Sequence, residues 1–432
     1  MINLKHQVLK ISVLILLFVR SFTNLFSDKK FNILGIIDLN PSSLIGLLII
    51  LLFIVVFSTT LIRKNSHRLV LIIDRLDLSI LFFILLIIVS FFINLLTVNL
   101  LTGLFLRELV RLISIFCLYF LVRELFISEN DFNFLLKFFI VIFIFPCSFA
   151  IYQLIFKKGN LAFKDLNRVF GTFSHPNSFA LSLAFFLLIL IYFIYFSKRM
   201  SNKLLFTLYF ILLFVLLLFT HSRNGILFFL FCIFILSVKF YYKRFFTGTI
   251  ILLIFLVILF FPFIKERWSD ISGIGDSIRN FFVFDRFNSK DSFDWRLMNS
   301  RYLLNISLAR PIFGYGLGSV SIVNPLRADA HNDYLKILVE VGIIGLLGYI
   351  FVIGNIFKKL FNKIRSIEVY KYRFFVYLIF YFFIGYIIFS FFENYFIDTL
   401  FQYYFWSILA LVGNFNKYCN KYCNDKESTE IK

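Results

Sequence analysis

Long runs of apolar residues alternate with short polar connections along almost the whole chain. A run of about 20 apolar residues is long enough to cross the hydrocarbon core of a bilayer as a helix. By this criterion the pattern predicts about twelve transmembrane helices. They fall at residues 8–26, 42–62, 78–97, 99–121, 133–156, 177–196, 204–220, 225–239, 245–264, 334–357, 373–391 and 395–413. The sequence therefore predicts an all-α, polytopic membrane protein.

Composition supports this class. The 432 residues are 60% hydrophobic and only 16% charged, a balance that soluble domains do not have. The net charge of +20 lies largely in short connections between apolar runs, so it predicts membrane orientation and not nucleic-acid binding. The five cysteines lie in apolar runs or in the tail without a CxxC spacing. We expect no disulfide framework, no metal and no cofactor.

The basic connections also predict the topology. Lys and Arg concentrate in the connections after the second, sixth, eighth and tenth runs, which all fall on one side. That side is expected to be cytoplasmic, together with both termini, and the first run is expected to be a retained helix. Five segments follow, namely N-terminal helices 1–156, central helices 157–264 with outer-face motifs, one large extracytoplasmic loop 265–333, C-terminal helices 334–413 and a cytoplasmic tail 414–432.

The large loop contains one further helical pattern. Asp294 is a candidate N-cap, Pro311 follows the expected end at Ala309, and leucines recur on one face. This pattern predicts a short helix lying at the membrane surface. The glycine-rich stretch 314–318 then predicts a flexible turn.

Polar motifs cluster on the predicted outer side, whereas the inner side carries little besides Lys and Arg. The motifs are Asn-Arg-Val-Phe-Gly at 167–171, Ser-His-Pro-Asn at 174–177, His-Ser-Arg-Asn-Gly at 221–225, Trp-Arg at 295–296 and His-Asn-Asp at 331–333. This asymmetry predicts a functional site on the outer face.

Arg168, Arg223 and Arg296 have two interpretations. Each is an interfacial or solvated cation, or part of an anion clamp, because guanidinium matches phosphate in a bidentate fork. If these arginines converge on one outer pocket, the pocket suits a diphosphate.

His331 is the best candidate for a general base, because an imidazole titrates near neutral pH and accepts a proton from a hydroxyl. Asp329 or Asp333 is expected to orient its ring. The alternative is a solvated loop histidine. His175 competes with it, but the Pro-Asn pair that follows His175 indicates a helix start.

Charges inside the predicted fourth span have a structural and a functional interpretation. Glu108 and Arg111 are spaced as an i,i+3 ion pair beside Arg107. The alternative is a proton or ion pathway. Glu393 and Asp398, in the last outer turn, are candidates to balance arginines.

Together these motifs resemble the O-antigen ligase and polymerase superfamily of bacterial membrane glycosyltransferases. The matching stretches lie in order between about residues 165 and 350, at 168–177, 222–225, Arg296, 311–318, 331–334 and 340–345. The resemblance implies a polyprenyl-dependent (GT-C-like) glycosyltransferase fold.

The resemblance also implies a reaction. A glycan would pass from a polyprenyl (undecaprenyl) diphosphate carrier to an acceptor sugar hydroxyl, in a metal-independent, inverting displacement on the outer face of the cytoplasmic membrane. His331 would be the base, with Asn332 and Asp333 beside it in the motif, and Arg223 and Arg296 would hold the diphosphate. Family members often place an aromatic one turn after the loop arginine, where this chain has serine, so Arg301 remains an alternative to Arg296.

The stretch 171–177 looks more like polymerases, so we favour a polysaccharide (O-antigen or capsule) polymerase over a ligase to lipid A core. Expected partners are the lipid-linked donor, a glycan or glycolipid acceptor, the bilayer, and a flippase and chain-length regulator. The rival from another class is a polysaccharide transporter or flippase, for which the charges of span four are the support. A non-catalytic envelope scaffold is a third alternative.

The topology can be tested by cysteine labelling of intact cells. In a background with the five native cysteines replaced by serine, an impermeant maleimide should label Ser289→Cys but not Asn362→Cys. Permeabilised cells serve as the control in which both positions react. Labelling of position 362 but not 289 in intact cells would reverse the topology.

Overall fold

A computed structural model describes residues 2–26, 31–33, 37–62, 74–97, 102–161, 167–239 and 292–415. The helices in these ranges are α1 Ile2–Thr23, α2 Pro41–Ile62, α3 Arg75–Thr97, α4 Thr102–Leu125, α5 Glu129–Ile155, α6 Pro176–Phe196, α7 Met200–Phe219, α8 Arg223–Lys239, α9 Ser292–Ala309, α10 Val320–Val323, α11 Asp333–Ser366, α12 Tyr370–Phe389 and α13 Thr399–Gly413. The predicted span 245–264, residues 265–291 of the large loop and most of the tail lie outside the described residues.

The all-helical, membrane-embedded class is confirmed. Among the described helices, eight are long and apolar enough to cross a membrane, namely α1, α2, α3, α5, α6, α7, α11 and α12. Three other predicted spans form helices that do not meet this criterion. Charged residues interrupt α4, whereas α8 and α13 have only 17 and 15 residues. The predicted total of about twelve spans is therefore not confirmed, and the GT-C-like fold stays a prediction.

Strand content is confined to two short antiparallel hairpins in the described ranges. β1 (Phe31–Ile33) pairs with β2 (Ile37–Leu39), and β3 (Asn160–Leu161) pairs with β4 (Asn167–Arg168). The apolar pattern did not predict either hairpin. The second matters for the site because β4 carries Arg168.

Aromatic packing fills the centre of the bundle. α6 is the most buried of the candidate spans, at 78% of its apolar window, whereas α7 is only 17% buried. Phe143 of α5 stacks on Phe186 of α6 at 4.0 Å between ring centroids, and Tyr404 of α13 meets Phe186 edge-on at 5.2 Å. Because lipid removes the hydrophobic drive between helices, such close side-chain packing has to hold them together.

The charges of α4 form a local ion pair, as the first interpretation predicted. Nη1 of Arg111 lies 2.8 Å from Oε2 of Glu108. Arg111 also donates to Oγ1 of Thr399 at 2.9 Å and to the carbonyl of Ile397. These contacts tie α4 to the turn that precedes α13, so the pair has a structural role in the bundle.

A break in α11 is closed by the glycine-rich turn. Gly342 has a φ of 76°, so the helix is kinked there. The carbonyls of Val339 and Glu340 accept hydrogen bonds from the N–H groups of Tyr315 and Gly316 at 2.9 and 2.7 Å. A broken helix leaves backbone groups that must find partners inside a membrane protein. The stretch that was predicted to be a flexible turn is therefore docked on the kink.

Substitution at the kink should destabilise the protein. In Gly342→Ala the new Cβ would stand 2.1 Å from the carbonyl oxygen of Ile312, at a backbone angle that L-residues rarely adopt. We expect a loss of about 1–3 kcal/mol or more, seen as a lower apparent melting temperature in detergent. Gly354→Ala is the matched control, because nothing lies within 4 Å of its Cβ position in the same helix. Equal melting temperatures for both variants would contradict the docked kink.

Candidate functional site

The polar motifs that the sequence analysis assigned to the outer side meet at one buried carboxylate. Glu393 lies in the turn between α12 and α13, and its side chain is 5% exposed. Its Oε1 accepts from Nη2 of Arg296 at 2.6 Å and from Nδ2 of Asn177. Its Oε2 lies 3.3 Å from Nδ1 of His331. We call this group the Glu393 cluster, and it comprises Glu393, Arg296, His331, Asn177, Asn224 and Arg168.

Arg168 and Asn224 complete the cluster through indirect and longer contacts. Nη2 of Arg168 donates to Oδ1 of Asn177 at 2.9 Å, and its Nε donates to the carbonyl of Thr220 at 2.9 Å. Nδ2 of Asn224 lies 3.5 Å from Oε1 of Glu393 and 3.3 Å from the carbonyl oxygen of Phe392. Arg168 therefore reaches the carboxylate through an amide bridge.

Gln153 at the end of α5 holds the turn that presents Arg168. Its Oε1 accepts from the N–H groups of Phe170 and Gly171, each at 2.9 Å. Gly171 has a φ of 57°, and a Cβ there would lie 2.7 Å from the carbonyl oxygen of Pro146. The glycine of the Arg-Val-Phe-Gly stretch is therefore required by both its conformation and its close packing.

Three helix N-termini face the cluster. Asn177 and Asn224 are the second residues of α6 and α8, and His331 lies two positions before α11. The capping hydrogen bonds are local. Ring Nδ1 of His175 accepts from the N–H of Asn177 at 3.2 Å, and Oδ1 of Asn332 accepts from that of Leu335 at 3.0 Å. Helix N-termini carry partial positive charge, so the cluster favours an anion.

His331 is held in an unusual backbone conformation. Its φ is 49°, which a non-glycine residue adopts only at a cost of about 1–3 kcal/mol. The next residue anchors it, because the N–H of Asn332 donates to Oδ1 of Asn394 at 2.9 Å. The ring packs edge-on against Trp295 of α9, with centroids 5.4 Å apart. The imidazole keeps 26% exposure, so one face of the site is open.

The surroundings lower the pKa values of both Glu393 and His175, but for different reasons. Burial alone would raise the pKa of Glu393, but the hydrogen bond to His331 and the charge of Arg296 outweigh it and hold the pKa below its usual value. Burial lowers the pKa of His175 to about 4, against the opposing effect of Glu393. His175 is therefore neutral at physiological pH, and its ring centroid lies 6.4 Å from that of His331.

The aspartates expected to orient His331 contact other groups. Oδ1 of Asp329 accepts from Nζ of Lys336 at 2.6 Å. The carboxylate of Asp333 accepts from the N–H groups of Tyr395 and Phe396 at 3.1 to 3.2 Å. This expectation was wrong because the partner carboxylate comes from a turn 62 positions later in the chain. Glu393 had been singled out only to balance an arginine, which its contact with Arg296 confirms.

Arg223 and Arg301 are the two other arginines that the sequence singled out. Arg223 is exposed at the first position of α8, next to Asn224. Arg301 is partly buried on α9, five positions after Arg296. Five positions correspond to a rotation of about 140° around a helix, so Arg301 lies on a different face of α9.

Residues 208–350 match the family model Wzy_C, described as O-Antigen ligase. The matched segment includes Arg223, Arg296 and His331, whereas Arg168 and Glu393 lie outside it. This match confirms the resemblance to the O-antigen ligase and polymerase superfamily. No curated protein shows significant similarity to the chain.

Proposed function

Because residues 208–350 carry the O-antigen ligase domain, we propose that this membrane glycosyltransferase moves a glycan from a polyprenyl diphosphate carrier to an acceptor sugar hydroxyl. The observation that supports it is the convergence of Arg296, Arg168 and His331 on Glu393, although they come from separate parts of the chain. Such a transfer needs a cationic site for the leaving group and a base for the nucleophile.

The arginines are proposed to hold the diphosphate. Arg296 is 27% exposed, so a ligand arriving from the open face reaches its guanidinium. Arg223 is exposed at the first position of α8, next to Asn224 of the cluster. Arg168 donates to Asn177, which in turn donates to Glu393. Guanidinium groups and helix N-termini stabilise the negative charge that develops on the departing diphosphate.

His331 is proposed to remove the acceptor proton. Its Nδ1 faces Glu393, so Nε2 is the nitrogen that accepts the proton as the hydroxyl oxygen bonds to the anomeric carbon. The bond from that carbon to the diphosphate breaks, and its electron pair leaves with the diphosphate. The imidazolium that forms is stabilised by the carboxylate of Glu393.

Sidedness and acceptor are also part of the proposal. The positive-inside rule assigns the cluster to the outer face of the cytoplasmic membrane, with both termini inside. We favour a polymerase, working with a flippase and a chain-length regulator, on the basis of the stretch 171–177. A ligase that transfers to lipid A core is the second candidate, because the matching family is described as O-Antigen ligase.

The arginine role can be tested by substitution. Arg223→Ala and Arg296→Ala should abolish transfer while the folded protein stays in the membrane, and the Lys variants should rescue poorly because an ammonium lacks the bidentate fork. Transfer is measured as glycan chains in cells that lack the native gene. Arg199→Ala, at an exposed position before α7, is the control and should be active. Full activity of both Lys variants would mean that these residues are interfacial cations.

The base role predicts a loss of transfer without a loss of donor binding. His331→Ala should transfer about 10²–10⁴-fold more slowly and still bind the carrier. His175→Ala is the comparison, with a smaller effect through the cap of α6. Near-normal transfer in His331→Ala beside an inactive His175→Ala would show that His331 is not the base.

A further inference from the structure

We propose that Glu393 couples donor binding to proton abstraction, by exchanging its bond to Arg296 for a closer association with His331 when the diphosphate arrives. Glu393 is then a positioning residue, which acts through the arginine and the histidine. The inference rests on the proposed transfer from a diphosphate carrier.

The two carboxylate oxygens of Glu393 have separate partners. Oε1 is bound by Arg296 and Oε2 lies against His331. The side chain of Glu393 is 5% exposed, whereas those of Arg296 and His331 are 27% and 26% exposed. A ligand that enters from the open face therefore meets the arginine and the histidine, but not the carboxylate between them.

A diphosphate competes with Glu393 for the same guanidinium. Both are oxyanions that accept in pairs from arginine, and the diphosphate carries more charge. Arg296 has a second bond at the edge of the site, from Nη1 to the carbonyl oxygen of Phe392 at 2.8 Å, so its position does not depend on Glu393 alone. The bound donor is therefore expected to take the Nη2 that now serves Oε1.

The carboxylate does not lose all its donors in this exchange. Asn177 donates to Oε1, and Asn224 lies within 3.5 Å of the same atom. A buried carboxylate that loses one donor needs such replacements, because an unsatisfied charge is costly. Both amides come from the first turns of α6 and α8, so they are fixed in place.

The exchange is expected to change the basicity of His331. Within the described ranges, the charged and titratable groups near His331 include Glu393, Arg296, His175 and Asp329. While Arg296 neutralises the carboxylate, Glu393 stabilises an imidazolium weakly. Once the diphosphate takes Arg296, the carboxylate acts on the imidazole and strengthens it as a base. Proton abstraction is then favoured only when the donor is in place.

Glu393→Gln separates this role from simple structural support. We expect the variant to bind undecaprenyl diphosphate in detergent up to about fivefold more tightly, because a neutral amide oxygen competes for the guanidinium less strongly than a carboxylate. Its transfer should fall about 10²-fold or more, because the imidazolium loses its carboxylate. Loss of carrier binding together with loss of transfer would show that Glu393 only supports Arg296, and would overturn the proposal.

Two controls make the outcomes distinguishable. Glu129→Gln applies the same change at the start of α5, where Glu129 pairs with Lys371, and should leave binding and transfer unchanged. Glu393→Asp keeps the charge but not the reach to both partners, so it should bind the carrier and transfer at an intermediate rate. If Arg296→Ala and His331→Ala transfer normally, the proposed function itself fails. If they are inactive but Glu393→Gln transfers normally, only this inference fails.

Discussion

A buried carboxylate at the end of a helical bundle has to be surrounded by donors, because an unpaired charge out of water is costly. The partners of Glu393 are Asn177 and Asn224 from the first turns of α6 and α8, Arg296 of α9, and His331. One side chain therefore fixes the relative position of four parts of the chain. Four of the five polar motifs each bring one side chain to this carboxylate, and the motif at 167–171 reaches it through the bond from Arg168 to Asn177.

Hydrogen bonds also fix the backbone around the cluster. Gln153 clamps the turn that carries Arg168, and the glycine-rich turn docks on the kink at Gly342, just after the first turns of α11. Both devices satisfy backbone groups where regular helices are interrupted, which a membrane protein must do inside the protein. The conformation of His331, with φ of 49°, is held by the bond from the N–H of Asn332 to Asn394 and by packing against Trp295. Rigid surroundings of this kind suit a site that must position a base and an anion at the same time.

The sequence allowed the helical class and most helix positions to be predicted, because long apolar runs have few alternatives in a bilayer. It also predicted the pair of Glu108 and Arg111 and the helix start at His175, which depend on neighbours close in sequence. The partner of His331 could not be predicted, since Glu393 is 62 positions away and the nearer aspartates bind other groups. The docked glycine turn was missed for the same reason, because its partners are backbone atoms of another element.

The central claim is that the Glu393 cluster is where the diphosphate of a lipid-linked glycan binds. Electron cryomicroscopy of the full chain in nanodiscs with undecaprenyl diphosphate tests it most directly. We predict density for the diphosphate within hydrogen-bonding distance of Arg296, with the Oε1 of Glu393 no longer bound to that arginine. Diphosphate density at the Glu108–Arg111 pair or at the opposite end of the helices, with the Glu393 cluster unchanged, would contradict the account.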